Sequence, residues 1–352
     1  MSDANLPEIG DLRMPAEWEP QEAVWLSWPA NPVLWPGCRD RVEKAWATFA
    51  EAISRFAKLH LNCEAKLQPR IGELLAEANV NFDQVKFFDH PCNDVWCRDH
   101  GPIFVKNARR DNLAIIDFKY NSWGGKYPPW DLDNAIPARV AEALKLTRYE
   151  FAMVAEGGAL ETNGKGALLT TESVLLNKNR NPDLTRSQIE VTLQRTLGVR
   201  QIVWLPDGLA GDDTDGHIDT LSRFCDAETI VTCVDHDVNS ANHAPLSVNR
   251  EILKNLRFSN GQRANIIDLP LPDPIRPAGW RTEILPGTYA NFLIVNDAVL
   301  LPVYRQPQKD REAIKIIASA FPRHQVVTID SRDILLEGGA LHCLSQQQPS
   351  ID

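Results

Sequence analysis

"EGGALET" at 156–162 and "EGGALHC" at 337–343 repeat one five-letter phrase, and only the second copy runs on into a cysteine. A phrase recurring at two distant points of a chain argues for repeated supersecondary units. Paired glycines let backbone approach a ligand closely or adopt turns closed to other residues. Both copies sit before or within an apolar, strand-like run. Around them the chain alternates between two periodicities. Short β-branched runs at 112–118, 201–206, 228–234, 264–269, 291–295, 298–304 and 325–329 read as strands, and Asn296-Asp297 predicts a tight hairpin between two of them. Residues 42–59 place Val42, Ala45, Trp46, Phe49, Ile53, Phe56 and Ala57 at helical spacing. Segments 186–198 and 309–321 read as two further helices, the first closing on Gly198. Helices and strands mixed throughout predict an α/β fold. The proline-rich stretch 269–280 reads as a loop crossing one domain, so a single domain over 1–352 is expected.

With 43% hydrophobic and 24% charged residues, the chain has the composition of a soluble globular protein able to bury a large core. It has no apolar run long enough for a membrane span and no leader-like start, so a cytoplasmic protein is expected. The net charge is −10, and no Lys/Arg cluster offers a track for phosphates; nucleic acid is not an expected partner. An acidic surface suits cationic ligands. Seven cysteines, at 38, 63, 92, 97, 225, 233 and 343, form no C-x-x-C pair.

Three polar clusters stand out: "NDVWCRDHGP" at 93–102, "GDDTDGHID" at 211–219 and "EGGALHC" at 337–343. The second is not a calcium loop, because with Gly216 at the turn position Gly211 and Ser222 fall where ligands belong. A metal site from His100, His217 and Asp219 has no supporting spacing, and no catalytic metal is expected. A nucleophilic cysteine needs a general acid/base beside it, and Cys343 with His217 supplies that pair. An extended His217-x-Asp219 would put both side chains on one face. The surplus of carboxylates is the informative feature. Paired carboxylates match a planar guanidinium, whose charge would also favour the thiolate. The residues therefore propose a cysteine enzyme acting on a guanidino compound, with a metal hydrolase and a non-catalytic guanidine-binding module as the alternatives.

The chain also resembles the agmatine deiminase family, known too as the bacterial-type peptidylarginine deiminase family, of the pentein superfamily. The resemblance rests on "MPAEWEPQEAVWLSWP" (14–29), "DVWCRDHGPIFV" (94–105), "SWGGKYPPWDLD" (122–133), "EGGALETNGKGALLTTESVLLNKNRNP" (156–182), "DDTDGHID" (212–219) and "GGALHCLSQQQP" (338–349), in family order. It implies a five-module α/β propeller of ββαβ-like units about a pseudo-fivefold axis, with the site in a central channel. By motif match Cys343 is the nucleophile, His217 the general acid/base, and Asp99 and Asp219 the guanidinium-binding carboxylates. Trp96, Trp123, Glu156 and Asp213 are the implied substrate-binding residues. No cofactor is implied; agmatine is the implied substrate, with free or peptidyl arginine the alternative, and a homodimer is suggested. Cys97 stands where methionine is frequent in the family, and Asp215 where asparagine is. The Asp215 carboxylate is expected to suit an ammonium at the substrate's far end.

Overall fold

The computed structural model describes residues 10–107, 112–280 and 282–351; the start read for a leader lies, but for Gly10, outside the described residues. Among these residues the strands fall into five small sheets, and one pattern runs through all of them. An antiparallel pair is followed by a helix, and the helix returns the chain to a strand parallel with the second of the pair. Parallel neighbours cannot be joined by a tight turn, so each such step needs a crossover, here a helix.

The plainest case is Leu293–Val295 against Ala298–Val303, then helix Pro307–Ala320, then Gln325–Asp330. Ser222–Phe224, Thr229–Val234, helix His243–Lys254 and Asn265–Pro270 repeat it. So do Glu161–Thr162, Ala167–Thr171, helix Arg186–Leu197 and Gln201–Leu205. A fourth sheet is built from Ile103–Asn107, Asn112–Lys119, helix Ile136–Leu144 and Thr147–Val154, with Leu12–Arg13 added at its edge. The fifth joins the two ends of the chain. Ser345–Pro349 pairs antiparallel with Gln21–Ser27, and helix Arg39–Ser54 leads to the parallel Lys58–Cys63 and on to Val85–Asp89.

All seven expected strands are present to within a residue or two. The helix expected over 42–59 ends earlier, at Ser54, and Lys58 opens the strand Lys58–Cys63. Its apolar residues do face a core: Val42, Trp46, Phe49 and Ile53 pack with Val24, Leu26, Leu59 and Leu61. Leu59 continues the hydrophobic pattern of the helix while belonging to the strand beneath it, which is why periodicity alone ran the two together. Helix Arg186–Leu197 begins with a Thr185/Gln188 capping box and closes on Gly198 at φ +68°.

The Asn296-Asp297 hairpin forms as expected, pairing Val295 with Ala298. Its Asn296 does more than turn the chain. Asn296 Oδ1 accepts the Gln21 N–H at 2.9 Å, and its Nδ2 donates to the carbonyls of Gln21 at 3.1 Å and Phe56 at 2.8 Å. One side chain therefore fastens this sheet to the one that joins the chain ends. Asn296 also holds φ +45°, a conformation asparagine tolerates better than alanine. Asn296→Ala is expected to cost about 2–4 kcal/mol by urea denaturation, and Asn296→Gly about 1 kcal/mol less because glycine relieves the strain. Equal stability of the two variants, or no loss in either, would contradict this account of the joint.

Candidate active site

In each sheet the first strand of the antiparallel pair is entered through a short turn, and that turn carries a residue of one buried cluster. Cys97–His100 brings Asp99 before Ile103–Asn107. Gly157–Ala159 brings Gly158 before Glu161–Thr162, and Ile218–Thr220 brings Asp219 before Ser222–Phe224. Asn291 precedes Leu293–Val295, and Leu341–Leu344 brings Cys343 before Ser345–Pro349. The five meet. The Gly158 N–H donates to Asp99 Oδ1 at 3.1 Å, Asn291 Nδ2 lies 3.1 Å from Cys343 Sγ, and that sulfur lies 3.7 Å from Asp219 Oδ2.

His217 joins them from the residue before the Ile218–Thr220 turn. Its Nδ1 is 3.5 Å from Asp99 Oδ1 and its Nε2 is 3.9 Å from Glu156 Oε2. The expected extended His217-x-Asp219 is not what forms: His217 is extended, but Asp219 lies in a 3₁₀ turn. The pair still converges because the turn swings Asp219 toward Cys343. Trp123 Nε1 donates to the second Asp99 oxygen at 3.0 Å.

The repeated phrase now has a physical reading. Its two copies have different backbones, since Gly157 and Gly158 lie in a 3₁₀ turn whereas Gly338 takes φ +97°. The second copy also leads into a helical turn before its strand. Yet the second glycine of each is closely approached by a residue of the site. A methyl on Gly158 would stand 2.5 Å from His217 Nδ1 and 2.7 Å from Asp99 Oδ1, and one on Gly339 would stand 2.4 Å from the Trp96 ring. Both glycines are required by close approach, whatever their torsions.

A cavity of about 350 Å³ opens on the cluster, lined by Trp96, Asp99, Trp123, Asp213, Gly339 and Cys343 among others. His217, Asp219 and Glu156 are buried behind its wall. Asp213 accepts a hydrogen bond from Tyr127 at 2.6 Å. Asp215 does not line the cavity: it is bound by Arg180 at 2.6 Å, Lys126 at 2.7 Å and Asn179 at 3.0 Å. The expected role of Asp215 at the substrate's far end is therefore corrected; its charge is consumed in fixing Arg180 and Lys126. Its φ of +71° is one that asparagine and aspartate share.

Charge behind the cavity is dense. Glu156 accepts from Arg180 at 2.6 Å, and Arg223 reaches both Glu17 at 2.9 Å and Glu161 at 2.8 Å. His342 bridges Asp219 and Glu17, 2.7 Å from each. Asn291 Oδ1 accepts both the His342 and Cys343 N–H groups, so one amide holds the sulfur and its backbone together. Glu17, Asn291, Arg180, Arg223 and His342 were not marked as site residues from sequence. Their partners lie far along the chain, up to 325 residues for Glu17 and His342, and only the recurring entry turns could have pointed to Asn291.

These surroundings set the titrations. Burial raises the Cys343 thiol well above its ordinary range, and Asp219 and Asp99 add to the effect. Burial also raises Asp99 to about 6, with Asp219 and Glu156 contributing against the opposing pull of His217. Burial disfavours a charged His217, but Asp99, Glu156 and Asp219 outweigh it and raise the imidazole to about 9. Glu156 is held at about 2, since Arg180 and His217 overcome its burial. Against its burial, the His342 hydrogen bond and the nearby charges of His342, His217 and Arg223 keep Asp219 below its usual value. Several polar atoms here have no partner: both His217 ring nitrogens, Asp219 Oδ1 and Glu156 Oε2. Buried polar atoms are normally hydrogen-bonded, so a cluster of orphans at one cavity marks where a ligand belongs.

A model of the Porphyromonas-type peptidyl-arginine deiminase family matches residues 13–349. The chain is 36% identical to an agmatine deiminase of Pseudomonas putida over 98% of its length and 97% of that protein's. It is 35% identical to an agmatine deiminase of Medicago truncatula over 99% of both chains. The fold superposes on the agmatine deiminase of Enterococcus faecalis with a TM-score of 0.92 at 29% identity, covering 99% of each chain. Sharing a sequence match from Arg13 to Pro349 and a mixed α/β fold with these proteins, the chain belongs to the Porphyromonas-type peptidyl-arginine deiminase family.

Proposed function

We propose that this chain is an agmatine deiminase, hydrolysing agmatine to N-carbamoylputrescine and ammonia in a single catalytic domain. One observation carries the reading: carboxylate oxygens of Asp219 and Glu156 stand buried and unpartnered around a thiol and an imidazole. A guanidinium supplies what is missing, a delocalised cation with several N–H donors in a plane. Among the described lining residues Lys126 is the one cation, and it is already held by the Asp213 carbonyl at 2.6 Å and by Asp215. Asp94, Asp99, Asp133, Asp213 and Glu337 make the rest of the charged lining acidic. That lining favours a substrate cationic at both ends over one carrying a carboxylate.

Asp99 and Asp219 grip the guanidinium and hold its carbon before Cys343, while Trp96 and Trp123 wall the pocket. The arriving cation offsets the two carboxylates that keep the thiol protonated, and the thiol gives up its proton to solvent to become the thiolate. Attack on carbon gives a tetrahedral adduct. His217, charged at neutral pH, gives its proton to the departing nitrogen, and ammonia leaves a covalent S-alkylthiouronium on Cys343. Neutral His217 then takes a proton from water as hydroxide adds, and collapse of the second adduct frees the ureido product and the thiol. Glu156, fixed by Arg180, keeps the imidazole oriented, and Asp213 lies along the path of the aliphatic chain.

The recurring sheet pattern and the five converging turns support an arrangement of five modules as an α/β propeller with the site on its axis. A homodimer and a cytoplasmic location belong to the same proposal; among the described residues no helix is long and apolar enough to cross a membrane.

Ammonia release measured side by side on agmatine, free arginine and an arginine peptide tests the substrate. Agmatine is expected to lead free arginine by at least about 10²-fold in kcat/KM, the scale of a like-charge penalty. Release only from arginine or the peptide would overturn the reading. The pH profile tests the roles. Protonation of Asp99 removes its grip on the guanidinium, so kcat/KM should fall as pH drops through about 6. Loss of the His217 proton removes the donor to the leaving nitrogen, so the rate should fall as pH rises through about 9. A rate that rises through the alkaline limb would contradict the assignment of His217.

A further inference from the structure

Beside the catalytic cavity, and sharing Asp133 with its lining, lies a second cluster that the chemical steps do not use. Cys92 follows strand Val85–Asp89, His100 ends the Cys97–His100 turn, and Asp133 sits in the turn Asp131–Asn134. One ligand atom from each, a thiol sulfur, an imidazole nitrogen and a carboxylate oxygen, lies within 4.8 Å of the other two. Among the described residues no other group of three gathers in this way. The metal grouping weighed from sequence, His100 with His217 and Asp219, is not the one that forms.

His100 supplies the independent observation. It is 1% exposed, and neither ring nitrogen has a hydrogen-bond partner. Its ring comes near the backbone of Asp94 and of its own residue without reaching hydrogen-bonding geometry. A buried imidazole normally bonds through at least one nitrogen, because leaving both unpaired forfeits their hydration without return. This one is aimed at a thiol and a carboxylate. The Asp133 carboxylate is itself fixed in place, its Oδ1 accepting the N–H groups of Asn93 at 2.7 Å and Asp94 at 3.2 Å. Cys92 Sγ is held only by weak thiol hydrogen bonds, at 3.5 Å to the Ser27 hydroxyl and 3.5 Å to the His90 carbonyl.

We propose that Cys92, His100 and Asp133 bind a divalent cation of the zinc class, at a site distinct from the catalytic thiol. A sulfur, a nitrogen and one oxygen suit zinc and its borderline-soft relatives, and exclude magnesium and calcium, which take oxygen. Around a tetrahedral zinc the donors stand about 3.4–3.7 Å apart, so three atoms within 4.8 Å need to close by about 1 Å. Binding displaces the thiol proton to solvent, and water fills the fourth position. Asp133 also lines the catalytic cavity, and Cys92 is only partly buried, so the ion has an approach from either side. The site ties together three segments, one of which carries Asp99 in the same short turn as His100.

The test uses the full chain with Cys343→Ala, which removes the one other thiol that stands beside an imidazole and carboxylates. After chelator treatment, zinc chloride is titrated in by calorimetry, and cobalt is added in parallel to read sulfur-to-metal charge-transfer absorption. One equivalent is expected to bind with micromolar or tighter affinity, raise the melting temperature and give the thiolate band with cobalt. Adding Cys92→Ser should remove the band and weaken zinc binding by at least about 10-fold, and His100→Gln should weaken it comparably. Cys92→Ser is a near-isosteric change at a partly exposed position, so it keeps the test decisive should His100→Gln not fold. No saturable binding, or a cobalt band that survives Cys92→Ser, would overturn the proposal.

Discussion

Five buried carboxylates set against three buried guanidiniums govern this molecule. Glu17, Asp99, Glu156, Glu161 and Asp219 lie out of water, and Arg98, Arg180 and Arg223 lie among them with His217 and His342. Ions buried in this way cost several kcal/mol each unless paired, and removing one partner of such a pair costs about 3–5 kcal/mol. The pairing on the inner side is dense: Arg223 holds Glu17 and Glu161, Arg180 holds Glu156, His342 spans Glu17 and Asp219, and Arg98 stands 3.6 Å from Glu17. On the side of the cavity it stops short, where Asp219 Oδ1, Glu156 Oε2 and both His217 nitrogens stay unbonded. The network is thus braced from behind and deficient in front, where the two free carboxylate oxygens are matched by the N–H donors and charge of a guanidinium.

The fold makes that arrangement affordable by delivering charge from many directions on short, stiff turns. Each turn enters a strand within a few residues of its functional side chain, so the strand's backbone pairing fixes the turn. Glycine at 158 and at 339 then lets the polar and aromatic groups close in where any side chain would collide. The last turn depends on the whole chain having folded. Cys343 leads directly into Ser345–Pro349, which pairs with Gln21–Ser27 near the other end of the chain. Cys343 is therefore seated only when the two ends have met.

Much of this was legible in the sequence, and the reasons it was not elsewhere are physical. The strand at 298–303 announces itself because both its faces are buried and its run is apolar, and the one at 325–330 because Val326, Val327, Thr328 and Ile329 are β-branched in sequence. Ser345–Pro349 does not, since three of its five residues are glutamines, yet all five are buried. Hydrogen bonds make that tolerable: Gln348 accepts from Trp25 at 3.0 Å, Gln346 donates to the Pro102 carbonyl at 2.8 Å, and Gln347 accepts from Arg98. Patterning cannot see such a strand. The site divides in the same way. Cys343, His217, Asp99 and Asp219 sit in dense polar motifs and were expected together, and the structure brings them together. Asn291 sits in an apolar run, where nothing marks it until its amide is found on the Cys343 sulfur. Asp215 was overread for the converse reason: a conspicuous charge in a motif proved to be bound already by Arg180 and Lys126.

The central claim is that the Cys343 sulfur, seated by Asn291 and faced by Asp219, bonds covalently to the substrate carbon. Turnover of agmatine by Cys343→Ala tests it most directly, with the melting temperature confirming that the variant is folded. The account predicts a loss of at least about 10⁴-fold in kcat, as for other enzymes stripped of a nucleophile. Turnover near the wild-type rate would contradict it.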